Sequence, residues 1–439
     1  MRSAATTLSR VIRDAGAYAI GAAFAALLAT TSNVEPHQYW GQVAVWGYLA
    51  AAGIGVLIVA ADRALKWSPP ERSLRIGLMV AVIGATLVLP MLLMITARRD
   101  GTPHQALGEV GVVERAGQRL NDTGSPYLGG AALEEASQSS VLGTLAYTPY
   151  GSLMAVFGLP RVVSTTSAWT DARVAFAATG CAVLLAAVWI GLTDRRRRFR
   201  LFHSLLILPP TALALSTGGD DVPVVALAML SMALLSKRRW MWAGMVIGIA
   251  LAMKTIVAPM AAMLAIFMLC RHRPGTARDG WTFVAAGLAV PLLTSVPLFI
   301  ADPSALFENL IRYPLGLTEQ RSPASSPLIG WTITRWVPHG KAITLALLAL
   351  ALVTLALAIA RRPPKSIGQA AWWASLILTS IIVLAPATRF GYFIYPGFFA
   401  AWAFATEGPA HRRNYKNNNA GRPEDLPSLQ RSNGGPRRI

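Results

Sequence analysis

The chain has 439 residues, of which 54% are hydrophobic and only 14% charged, and its formal charge is +19. So much apolar content at this length excludes a single water-soluble domain, which needs far more polar surface. A disulfide framework or zinc module is excluded too: the two cysteines, Cys181 and Cys270, lie in separate apolar runs, where core packing is their expected role.

Apolar stretches of about 17 to 25 residues can cross about 30 Å of hydrocarbon. They predict an all-α polytopic membrane protein with about twelve transmembrane helices, near 15–31, 41–61, 76–97, 172–193, 200–217, 223–236, 240–257, 259–270, 281–301, 342–360, 368–387 and 390–406. The first follows Arg2, Arg10 and Arg13 without a small-residue cleavage site, so a retained helix is expected. With both termini cytoplasmic, the inner segments hold 28 of the 40 Lys and Arg and 8 acids, the outer ones 12 bases and 13 acids, or about +20 against about −1. The charge is therefore a topology signal and does not point to nucleic acid. A polybasic inner rim also suits anionic membrane lipids. Residues 1–406 form the expected membrane unit. The segment 407–439, biased to Asn, Gly, Pro and Arg, cannot bury a core and is expected to be a disordered basic tail.

This topology leaves two long outer loops, about 98–171 and about 302–341. In the first, Val112, Val113, Ala116 and Leu120 recur at helical spacing, with Glu114, Arg115, Gln118 and Arg119 on the other side. That pattern predicts a short amphipathic helix in the membrane interface. Glu109 falls in its first turn, where the helix dipole favours an ionised carboxylate. Such a group either serves as general base for a hydroxyl nucleophile or merely stabilises the helix start. Asn121 to Pro126 reads as a turn followed by Tyr127. The segment from Tyr147 through Tyr150 to Pro160 is too short to span and is expected to dock back into the membrane as a half-helix. Its tyrosines are interface anchors or part of a sugar-binding wall.

Further along, Asp220 and Asp221 occupy the tight outer turn STGGDDVP. They either cap the next helix, with Asp221 as its start signal, or bind an acceptor or ion. A metal site is not expected, because an octahedral ion needs further oxygen ligands. Lys254 stands near the outer end of an apolar helix, where a charge is expensive unless it snorkels or finds a partner. One reading is a cation for a lipid phosphate, shared with Arg389 at a similar outer end. Arg312, Arg321, Arg335 and His339 offer the same chemistry in the second outer loop.

An acid, a short helix, a Gly-Ser-Pro-Tyr turn, a Tyr-x-Pro-Tyr segment, a polar outer turn and a helix ending in Ala-Met-Lys-Thr follow one another here. Between about Ile76 and Thr406 this order resembles the polyprenyl-phosphate-sugar-dependent membrane glycosyltransferases of the GT-C fold, closest to the actinobacterial alpha-mannosyltransferases of glycosyltransferase family 87. The resemblance implies a catalytic carboxylate about eighteen residues before Tyr127, which is Glu109, where the family has Asp; Glu114 and Asp100 are the alternatives. It also implies that Tyr147, Pro149 and Tyr150 pack beside the site and that Lys254 faces the donor phosphate. The partners would then be a polyprenyl-phosphate sugar and a glycolipid or glycan acceptor on the outer face. Inverting transfer, with mannose the expected sugar, needs one base and no cofactor, and the chain shows no Gly-rich phosphate loop. Two other classes remain: a transporter or lipid flippase, against which the lack of a clear internal repeat speaks, and a non-catalytic scaffold for envelope assembly.

Overall fold

A computed structural model describes residues 2–65, 71–102, 105–139, 142–207, 209–270, 276–320 and 324–407. The expected basic tail from 408 onward, and Arg321, lie outside them. All regular secondary structure among the described residues is helical.

Each of the twelve expected segments is helical at least in part, but among the described residues seven helices are long and apolar enough to cross a membrane: Arg10–Thr31, Glu35–Leu65, Ser73–Arg99, Ala172–Gly191, Ala277–Ala301, Gly340–Arg361 and Ile367–Leu384. The rest fall short for identifiable reasons. The 200–217 segment is bent by 55° between Arg195–Leu206 and Pro209–Thr217, where consecutive prolines remove backbone donors. Asp221–Ser236 and Trp240–Met253 have 16 and 14 residues, and even the longer rises only about 24 Å. The expected 240–257 helix stops early because Lys254 turns extended, at φ −148° and ψ 129°.

The short Asp221–Ser236 helix is the axis of the core, buried along most of its length. Ala172–Gly191, Trp240–Met253 and Ile394–Glu407 pack around it. Trp240–Met253 closes on Thr276–Ala301 through small residues: a Cβ on Gly244 would lie 2.3 Å from the Phe283 carbonyl oxygen. Close backbone approach of this kind is how helices associate where lipid competes for apolar contact. Outward, Leu292, Leu293, Phe299, Ile300, Leu350 and Val353 are exposed. An apolar surface this continuous is suited to hydrocarbon and not to water. Cys270 is exposed and Cys181 half-buried, so the expected core role fails for Cys270, which sits at the end of its helix.

The first loop forms the expected short helix. Its helix, Gly108–Thr123, buries Val110, Val112, Val113 and Ala116 but also Glu114 and Gly117. It packs on the short apolar Ser152–Val163 segment so closely that a Cβ on Gly117 would meet Gly158 backbone at 2.4 Å. Three helices run from this end of the bundle to a basic cluster at the other: Ala172–Gly191 toward Arg195–Arg198, Asp221–Ser236 into Lys237–Arg239, and Gly340–Arg361 into Arg362 and Lys365.

Candidate active site

Three chain segments converge at the loop end of the bundle. The Gly108–Thr123 helix is anchored at its start by the Leu107 N–H, which donates to the Thr217 carbonyl at 2.9 Å. This bond sets the first helical turn beside the Gly218–Asp221 turn. Gly218 has φ +103°, and a Cβ there would strike Val110 Cγ2 at 2.0 Å. Only glycine permits both the left-handed backbone and this approach.

Glu109, in that first turn, forms an ion pair with Arg389. Arg389 precedes the turn Phe390–Phe393. The second long loop secures it: the Ser326 N–H donates to the Thr388 carbonyl at 3.0 Å, and Ser326 Oγ accepts from the Phe390 N–H at 3.0 Å. His37, in the first turn of Glu35–Leu65, lies within electrostatic reach of Arg389.

Behind this pair stands a buried ionic group. Lys254 Nζ donates to Asp220 Oδ1 at 2.5 Å and to Asp221 Oδ1 at 2.6 Å. The Tyr395 hydroxyl donates to the same Asp221 oxygen at 2.8 Å. The Lys254 ammonium also sits 5.0 Å from the Tyr150 ring centroid, a cation–π distance. The Tyr127 hydroxyl donates to the Tyr150 carbonyl at 2.9 Å, fixing that ring's backbone. Burial drives the Asp220 carboxyl up to about 6, with Asp221 adding to the rise and Lys254 opposing it. Asp220 Oδ2 is buried without a hydrogen-bond partner.

These contacts displace two of the sequence readings. Asp220 precedes the helix yet makes no capping hydrogen bond with its side chain; both carboxylates face Lys254 instead. Lys254 does not snorkel, because it is 8% exposed and already paired.

The rival carboxylates are placed elsewhere. Asp100 is exposed at the end of its helix. Glu114, expected on the polar face, is buried and held by Arg98 through two bonds, Nη2 to Oε2 at 2.7 Å and Nη1 to Oε1 at 3.0 Å. It also accepts the Ala172 N–H at 3.2 Å. Arg98 reaches Asp171 at 2.8 Å, and Asp171 is gripped by the fully buried Arg173 through Nε at 2.8 Å and Nη2 at 2.9 Å. Burial alone would raise the Asp171 carboxyl, but bonds and charge from Arg173, with Arg98, outweigh it and hold it at about 2.

Tyr147 stacks on Tyr313, with centroids 4.4 Å apart and planes at 6°, in a small cluster apart from the main core. Next to it the Thr148 N–H donates to Asn309 Oδ1 at 2.7 Å, while Asn309 Nδ2 donates to the Leu128 carbonyl at 2.8 Å. The second long loop thus props up the first through Asn309 and Tyr313. Arg312 pairs with Glu308 at 2.6 Å, and Arg335 and His339 are exposed.

Sequence reasoning passed over His37, Arg98, Asn309, Tyr392 and Tyr395. For the last two a signal was present: FGYFIYP puts tyrosines three apart just after Arg389, on one face of a helical start.

Residues 147–406 match Glycosyltransferase family 87. The chain belongs to this family. It is accordingly a membrane glycosyltransferase, acting on a sugar donor and an acceptor. The matched region contains Tyr150, Asp220, Asp221, Lys254 and Arg389, while Glu109 lies before it. No curated protein and no solved structure matches the chain.

Proposed function

We propose that this glycosyltransferase moves a sugar, mannose by its family likeness, from a polyprenyl-monophosphate donor to a glycolipid or glycan acceptor in the cell envelope, with inversion and with Glu109 as general base. The observation that carries this reading is the Glu109–Arg389 pair, set in front of the buried Asp220–Asp221–Lys254–Tyr395 group. It joins an acid able to take a proton to a guanidinium shaped for phosphate.

In the free protein Arg389 occupies Glu109. The donor phosphate takes over the guanidinium and leaves the carboxylate free. Glu109 then accepts the acceptor hydroxyl proton, the oxygen attacks the anomeric carbon, and the bond to the lipid phosphate breaks, its electron pair going to the phosphate oxygen. Lys254 spends two donors on Asp220 and Asp221, which leaves a third N–H for a phosphate oxygen. Stabilising charge on the leaving group in a water-poor site is the electrostatic share of catalysis. Asp220 and Asp221 supply acceptors for sugar hydroxyls, and Tyr150, backed by Tyr127 and flanked by Tyr147, forms an aromatic wall.

We place the site on the outer face. The basic clusters at the opposite end of the helices support this by the positive-inside rule, with both termini on the cytoplasmic side. The test is sugar transfer by purified protein in lipid nanodiscs, given radiolabelled polyprenyl-phosphate-mannose and a glycolipid extract. Transfer that disappears in Glu109→Gln is the expected result; full transfer by a well-folded E109Q protein overturns the assignment.

A further inference from the structure

Most charges in and around the loop that are not solvent-exposed are paired: Arg98 with Glu114 and Asp171, Arg173 with Asp171, Lys254 with Asp220 and Asp221, and Arg389 with Glu109. Arg115 and Arg119 break the pattern. They stand one turn apart on the Gly108–Thr123 helix, both half-buried, and neither forms an ion pair among the described residues. Arg115 Nη2 donates to the Leu145 carbonyl at 2.9 Å, and Arg119 Nη1 to Thr148 Oγ1 at 3.3 Å. Each guanidinium carries five N–H donors, so most are unused, and Arg115 Nε is buried with no partner at all. Gly111 leaves the flank of Arg115 open, since a Cβ there would come within 3.0 Å of Nη1.

Two like charges one turn apart repel, and burying unpaired charge is costly. Burial, together with the neighbouring Arg115, brings the Arg119 guanidinium down to about 10. A phosphate would relieve both penalties at once, offering oxygens to two planar donors in the bidentate manner arginine favours.

We propose that Arg115 and Arg119 form a second anion site that takes the phosphate of a membrane lipid. It lies beside the candidate active site: Thr148, which Arg119 contacts, is two residues from Tyr150, whose ring faces Lys254. The proposal rests on the transferase reading, in which Arg389 and Lys254 receive the donor phosphate, and adds a second phosphate contact. That phosphate belongs either to the donor itself, a monoester, or to a phospholipid-anchored acceptor, a diester.

Binding separates the sources. In a phosphate-free maltoside detergent, the affinity of polyprenyl monophosphate and of phosphatidylinositol is measured for the wild type, R115Q/R119Q and R115K/R119K. The Gln variant is expected to lose at least about tenfold in affinity, the equivalent of one charge-assisted hydrogen bond, with the Lys variant recovering part of it. Loss for polyprenyl monophosphate assigns the site to the donor, loss for phosphatidylinositol to the acceptor, and loss for both to lipid phosphate in general. Unchanged affinity for both lipids in R115Q/R119Q overturns the proposal. Because binding is read without transfer, this outcome is independent of the E109Q test.

Discussion

Glu109 and Glu114 sit five residues apart on one helix, and each pairs with an arginine from another helix end, yet their surroundings differ in kind. Glu114 is 8% exposed at its side chain and held by two Arg98 bonds, a backbone N–H and a network running on to Asp171 and Arg173. Glu109 is 14% exposed, and its Arg389 is 35% exposed. A carboxylate wired into a buried network cannot exchange partners without stranding a charge. One with a single half-open partner can. The difference separates a group that fixes the helix from a group free to react, although both are glutamates opposite arginines.

Substitutions should separate the two. Glu109→Gln is expected to cut transfer about a hundredfold or more, the range of a lost general base, with an unchanged melting temperature. A large loss of stability there would erase the contrast. Arg98→Ala should do the reverse, removing both side-chain bonds to the buried Glu114 at a cost of about 3 kcal/mol. Thermal unfolding in detergent would show it as a lowered Tm, partly restored by Arg98→Lys. A normal Tm for R98A would mean the network is ornamental.

A smaller effect is expected from Tyr395→Phe, which removes the hydrogen bond to Asp221 and about 1 kcal/mol. Steady-state kinetics should show a several-fold change in transfer with little change in Tm. Acid should act on the buried network itself. Asp171 is held at about 2, below its ordinary 3.8, so its contribution to stability is fully present above about pH 4. It is lost as pH falls from there toward 2. Comparing the Tm of wild type and Asp171→Asn across that window should show the gap closing on acidification; a constant gap would mean that the Asp171 charge does not stabilise the fold.

The sequence carried much of this. Its apolar runs gave the helical class, and Val112, Val113, Ala116 and Leu120 at helical spacing gave the loop helix with Glu109 in its first turn. It misjudged Glu114, because helical periodicity assigns charged residues to the wet face and cannot see that Arg98, from another helix, awaits one inside. It left Asp220 and Asp221 as caps or as ligands for an acceptor or ion: local pattern shows the helix start as a partner, while the partner in the structure, Lys254, comes from the end of a different helix. Its count of about twelve spans is not confirmed, because hydropathy does not register that Lys254 turns extended or that a 16-residue helix can be apolar through burial in protein.

What the sequence determined by itself was the membrane class, the asymmetric basic rim and the loop that bears the acids, since composition, run length and periodicity are local or additive. The tertiary structure alone decided the pairings: Glu109 with Arg389, Lys254 with two aspartates, Glu114 with Arg98, and, among the described residues, no ion pair for Arg115 or Arg119. Pairing depends on which helix ends meet and how much water is excluded there, and both follow from long-range packing that no stretch of sequence encodes alone.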